Sequence, residues 1–143
     1  MTGAEGTTLL ELRFLAAAQR LRRVRRIVRG RLLRNGCAEG CTRDVVIAVD
    51  EACQNIIRHA YLGQPGEIVL QLRRCGDDLV IRLIDFAVPV DPSKVQPRPL
   101  DELRPGGLGT HLMRQLMDDI AFLPPPEGAG NLLQMTKKIG CPP

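Results

Sequence analysis

The sequence contains no tryptophan, one tyrosine (Tyr61) and three phenylalanines (Phe14, Phe86 and Phe122). Four scattered rings build no platform on which nucleobases stack, which argues against single-strand nucleic-acid binding of that kind. No apolar run approaches the ~18 residues of a membrane span, so no membrane association is expected. Histidine is scarce, with His59 and His111 alone, and no Ser-His-Asp or Cys-His arrangement can be read. The five cysteines are an odd number at irregular spacing, which does not suggest a disulfide framework. Cys37 and Cys41 stand as C-x₃-C with no second pair at ligand spacing, so buried or incidental thiols are the better reading than zinc. The first residues lack the basic stretch, apolar run and small-residue cleavage site of a secretory signal, and a reduced, cytoplasmic protein is the expectation.

What is present fits one globular domain over residues 1–143, with 44% apolar and 25% charged residues. The net charge of +4 is unevenly placed. Residues 1–35 hold nine arginines against Glu5 and Glu11, net +7, whereas residues 36–143 hold eleven Lys/Arg against fourteen Asp/Glu, net −3. Such a basic stripe suits phosphate backbones or an acidic partner, and equally a solvated helix face.

Residues 7–15 read as a strand, with Leu10, Leu12 and Phe14 alternating against Glu11 and Arg13. From Ala16 to Arg34 the period changes to helical, with Leu21, Val24, Val28 and Leu32 on one face and Asn35-Gly36 as the stop. A second helix is predicted from Thr42 or Arg43 to about Ala60, with Thr42 as its N-cap. Residues 66–75 and 79–86 form a hairpin through Gly76-Asp77-Asp78. A proline-rich stretch over 87–106 reads as a long loop. A third helix is expected from about Gly109-Thr110 to Asp118, with Leu112 and Leu116 inward and Met113 a further candidate for that face, then short strands at 120–123 and 132–139. This order gives an α+β two-layer sandwich, its mixed, mostly antiparallel sheet covered on one face by helices.

Three constellations carry candidate chemistry. Glu51, Asn55 and His59 recur at four-residue steps on the second helix, with Arg58 beside them. A carboxylate, an amide oxygen and cations in a row suit a metal–phosphate ligand, and a plain polar helix face satisfies the same spacing. Asp85 shares the strand face of Leu79, Ile81 and Leu83, which buries it unless it caps a turn at the strand end. A buried carboxylate needs donors, and the exocyclic amine of a purine is one such donor. Gly106-Gly107-Leu108-Gly109 leads into the third helix, offering free N–H groups to phosphate, although it is neither a P-loop nor a GxGxxG fingerprint.

Taken together and in order, EACQNIIRHAY (51–61), DFAVPVDP (85–92) and PGGLGTHLMRQLMD (105–118) resemble the N, G1 and G2 boxes of the GHKL ATPase superfamily. Within it the chain most resembles the anti-sigma factor serine kinases of the RsbW and SpoIIAB type, over essentially the whole domain. The resemblance implies a Bergerat-type ATP-binding fold, ATP and Mg²⁺ as cofactors, and a homodimer. It implies that Asn55 ligates Mg²⁺, that Glu51 is the base activating the attacking hydroxyl, and that Arg58 and His59 lie near the phosphates. It implies that Asp85 accepts from the adenine amine with Asn131 supporting that side, and that 87–106 is the lid. Gly107, Leu108, Gly109, Thr110 and His111 then lie near the phosphates. The G1 box departs at Ala87, where the family commonly has glycine, adding a methyl and removing φ freedom.

The leading functional expectation is therefore a partner-switching kinase. It would phosphorylate a Ser or Thr of a STAS-type antagonist and hold a sigma factor or another regulator. The alternative is a nucleotide-gated regulator-binding module without phosphoryl transfer. Nucleic-acid binding through the arginine-rich helix is a third, disfavoured reading.

Overall fold

The computed structural model describes residues 6–88 and 107–139. Strand β1 (Thr7–Leu15) leads into helix α1 (Ala18–Arg34), and helix α2 (Glu39–Asn55) passes into one π-helical turn, Ile56–Ala60. The hairpin β2 (Glu67–Cys75) and β3 (Asp78–Asp85) follows, then α3 (Gly107–Leu116), β4 (Asp119–Leu123) and β5 (Asn131–Lys138). The strands form one sheet in the order β1-β2-β3-β5-β4. All four pairings are antiparallel, so the expected mixed sheet is antiparallel throughout the described residues.

Period-two alternation decides which sheet face meets the helices. Ile68, Leu70 and Leu72 of β2, Leu79, Ile81 and Leu83 of β3, and Met135 of β5 are buried together. Against them lie Leu21, Val24, Val28 and Leu32 of α1, the four positions expected from sequence. From α2 come Val45, Ala48, Val49, Ala52 and Cys53. The other sheet face carries a small separate cluster of Val69, Ile84 and Leu132. Among the described residues no helix is long and apolar enough to cross a membrane.

Three local expectations are corrected. Helix α2 begins at Glu39 with the extended Ala38 at its N-cap, and Thr42 lies inside the helix at 0% exposure. Thr42 falls three residues before Val45 and seven before Val49, so it extends the buried stripe instead of capping it. The α-helix stops at Asn55, and the turn carrying Arg58 and His59 is π-helical. The buried positions are Met113 on α3 and Met117 just after it, whereas Leu112 and Leu116 are half-buried. The Lys137 ammonium donates to Leu116 O at 2.6 Å and Asp118 N donates to Thr136 O at 2.9 Å, which fixes the helix end in that rotation. Strand β1 also carries a bulge between Thr8 and Leu10 that turns both Leu9 and Leu10 inward. Arg31 of α1 donates to Leu9 O at 2.5 Å there.

Candidate functional site

The last residue of β3 is Asp85, 3% exposed, on the same inward face as Leu79, Ile81 and Leu83. Its Oδ1 accepts from Asn131 Nδ2 at 2.9 Å and from Ala87 N at 3.0 Å. Asp85 O also accepts from Gly130 N at 2.8 Å. A Cβ on Gly130 would lie 1.9 Å from Ala87 O, so only glycine permits this approach of the β5 lead to the Asp85–Ala87 turn.

Ala87 is buried at 8% exposure within the main core. Among the described non-glycine residues only Leu62 has a positive φ, so the chain at Ala87 does not need the conformational freedom of glycine. The departure from the G1 pattern is accommodated by packing the extra methyl inward.

On α2, Glu51 and Asn55 are one turn apart and half-buried. Arg58 and His59, on the π turn, are exposed. Helix and strand end are joined by Tyr61, whose hydroxyl accepts from Phe86 N at 2.8 Å, next to Asp85. Tyr61 follows Asn55 by six residues, so the end of α2 and the end of β3 meet at this phenol. His111 is exposed on α3, its Nε2 3.3 Å from Gln115 Nε2. Of the expected lid over 87–106, residues 89–106 lie outside the described residues, as do the side chains of Leu108 and Thr110.

Neither Tyr61 nor Gly130 stood out as a site residue in the sequence. Tyr61 lies within the E-x₃-N-x₃-H-A-Y run, and Gly130 directly precedes Asn131, but their roles depend on contacts 25 and more residues away. A further ion pair, Arg25 Nη1 to Asp50 Oδ1 at 2.7 Å, ties α1 to α2 one residue before Glu51. Asp50 Oδ2 accepts from Gln54 Nε2 at 2.7 Å. The outward arginines Arg20, Arg22, Arg23, Arg26 and Arg34 form no ion pair among the described residues.

Among the described residues no group of three or more His, Cys, Asp and Glu gathers to hold a metal. The four described cysteines are free, and burial pushes the Cys37, Cys41 and Cys53 thiols up from their ordinary value. The donors near the end of α2 are oxygen-based, an amide and a carboxylate. Such a set suits Mg²⁺ carried in with phosphates and water, because that ion needs few protein ligands.

The fold is thus a helix-covered antiparallel sheet with a buried strand-end carboxylate beside a polar helix terminus. The chain matches the model of the histidine kinase-like ATPase domain over residues 14–137. It belongs to that family. It is 35% identical over 138 residues to a serine-protein kinase RsbW of Bacillus cereus, covering 91% of this chain and 84% of the relative. It is 34% identical, with the same coverage, to those of Bacillus mycoides and Bacillus thuringiensis. Among solved structures, a crystal structure of the RsbU and RsbW domains of a Mycobacterium tuberculosis protein superposes with a TM-score of 0.64 at 19% identity. That match covers 93% of this chain and 33% of the other, and it shows a shared fold.

Proposed function

We propose that this protein binds ATP and phosphorylates a Ser or Thr of a STAS-type antagonist, holding a sigma factor or equivalent regulator when the antagonist is phosphorylated. In this reading it acts in the cytoplasm as a homodimer. The observation that carries it is the buried Asp85 carboxylate at the end of β3, oriented by Asn131 and Ala87 N. A carboxylate held in this way from the sheet side is disposed to accept from the exocyclic amine of adenine. The named relatives, serine-protein kinases at 34–35% identity, favour the same chemistry.

In this reading Glu51 accepts the proton of the attacking hydroxyl as its oxygen bonds to the γ-phosphorus. The bond from that phosphorus to the bridging oxygen breaks, and ADP leaves. Asn55 would supply its amide oxygen as the protein ligand of Mg²⁺, with Arg58, His59 and the first residues of α3 on the phosphate side. That helix starts at Gly107 and not near Gly109-Thr110, and those residues run from Gly107 through Leu108, Gly109, Thr110 and His111. When bound, Mg²⁺ supplies neutralisation of the phosphate charge.

The test is calorimetric titration with ADP and ATP, with and without Mg²⁺, followed by transfer to a cognate antagonist. Saturable Mg²⁺-dependent binding, weakened by both Asn55→Ala and Asp85→Asn, is expected. Glu51→Gln should retain binding and lose transfer. Binding with no product from the unaltered protein would replace the kinase with a nucleotide-gated binding module, and absence of nucleotide binding would remove both.

A further inference from the structure

Tyr61 is held in place by three local features that a helix-to-strand connection does not require. The preceding Ile56–Ala60 turn is π-helical, and Tyr61 N closes it by donating to Ile56 O at 2.9 Å. Such turns are rare and recur at functional sites. The next residue, Leu62, has φ +53, a left-handed conformation that costs a branched side chain free energy, and Gly63 follows at φ +79. Finally, the Tyr61 ring lies against Gly66 so closely that a Cβ there would fall 2.2 Å from Cε1.

The hydroxyl placed by these features bridges two strands. The β2–β3 register ends with Ile68 opposite Asp85, and one further step would set Glu67 opposite Phe86. Between those two residues stands the Tyr61 oxygen, donating to Glu67 O at 2.6 Å and accepting from Phe86 N at 2.8 Å. A side chain from the α2 extension therefore replaces the next rung of the ladder. It does so at the point where the chain leaves β3 and turns so that Ala87 N can donate to Asp85 Oδ1.

We infer that Tyr61 is a positioning residue for the purine side of the nucleotide site. Its hydroxyl fixes where the Phe86–Ala87 turn departs from β3, and through Ala87 N it sets the aim of the Asp85 carboxylate. Because Tyr61 also ends the segment that begins at Asn55, it holds the purine-side strand and the phosphate-side helix at one spacing. The inference rests on the nucleotide reading given above.

Two substitutions perturb the bridge independently. Tyr61→Phe keeps the ring and removes the hydroxyl, leaving Phe86 N and Glu67 O without this partner. Gly66→Ala keeps the hydroxyl and displaces the ring. Val28→Ala, in α1 at 0% exposure, is the control for loss of stability alone. The full chain is titrated with ADP, and its thermal stability is recorded alongside. Both bridge variants are expected to bind ADP about tenfold more weakly. For Tyr61→Phe, the loss of ADP affinity should exceed any loss of transfer at saturating ATP, the pattern of an effect carried mainly by binding. Val28→Ala should lose at least as much stability as Tyr61→Phe while binding ADP normally. Unchanged ADP affinity in Tyr61→Phe overturns the inference, as does equal weakening in Val28→Ala. No ADP binding by the unaltered protein overturns the nucleotide reading and this inference with it.

Discussion

Asn131 donates to the buried Asp85 across 2.9 Å, and the two residues are also paired in register between β5 and β3. The contact gives an inward carboxylate one of the donors that make its burial tolerable. It also makes the first residue of β5 part of the surface that would face a purine.

Asn131→Ala removes that donor and leaves the charge with fewer partners. A hydrogen bond to a charged group contributes about 1.5–3 kcal/mol. The variant should lose about that much stability in urea denaturation and bind ADP roughly tenfold more weakly. Normal ADP affinity in a stably folded Asn131→Ala protein would separate Asn131 from the nucleotide site.

Gly130→Ala tests the tightest backbone approach in the same corner. The new methyl would meet the Ala87 carbonyl at 1.9 Å, a backbone atom without side-chain freedom to move aside. Destabilisation of about 3 kcal/mol is expected, with the turn after Asp85 displaced. A loss below about 0.5 kcal/mol by urea denaturation would show that this turn yields readily.

Much of this arrangement is legible in the sequence, for reasons that differ from element to element. The α1 stripe of Leu21, Val24, Val28 and Leu32 follows from period alone, because arginines occupy almost every position between them. Asp85 is placed by the strand alternation it shares with Leu79, Ile81 and Leu83. The start of α2 is less legible, because a threonine is both a good cap and small enough for a core stripe. Packing against α1 and the sheet decides the matter. The inward turn of Met113 and Met117 depends on Lys137 holding Leu116 O, a contact 21 residues away. The insertion of β5 between β3 and β4, and the Tyr61 bridge, are likewise long-range and leave no periodic trace.

Cys53 predicts an alkaline limit to stability. It is 0% exposed, and burial, helped by the Asp50 charge, pushes its thiol well above the ordinary 9.0. The folded state therefore keeps the proton while the unfolded state releases it. The stabilisation is fully present below pH 9 and falls as pH rises from there towards the folded value. Its limiting slope is about 1.4 kcal/mol per pH unit. Cys53→Ala removes this thiol's share, so its deficit in denaturation free energy should shrink between pH 8 and pH 10. A deficit constant across that range would mean that Cys53 does not titrate in the unfolded chain as supposed.

The Arg25–Asp50 pair offers a measurement of how firmly α1 holds the helix that carries Glu51 and Asn55. Asp50 is 15% exposed at its side chain and has both oxygens engaged, one by Arg25 and one by Gln54. The Arg25 side chain is 43% exposed, so solvent screens its share of the attraction. Arg25→Ala should cost about 1 kcal/mol, and Asp50→Ala about 1–2 kcal/mol because it also removes the Gln54 acceptor. The double variant should cost less than the sum by about 0.5–1 kcal/mol, read from a urea-denaturation cycle. Additive losses would assign the α1–α2 crossing to the Leu21–Leu32 stripe alone. A positive coupling would give the arginine-rich helix an electrostatic hold on the turn that presents Glu51.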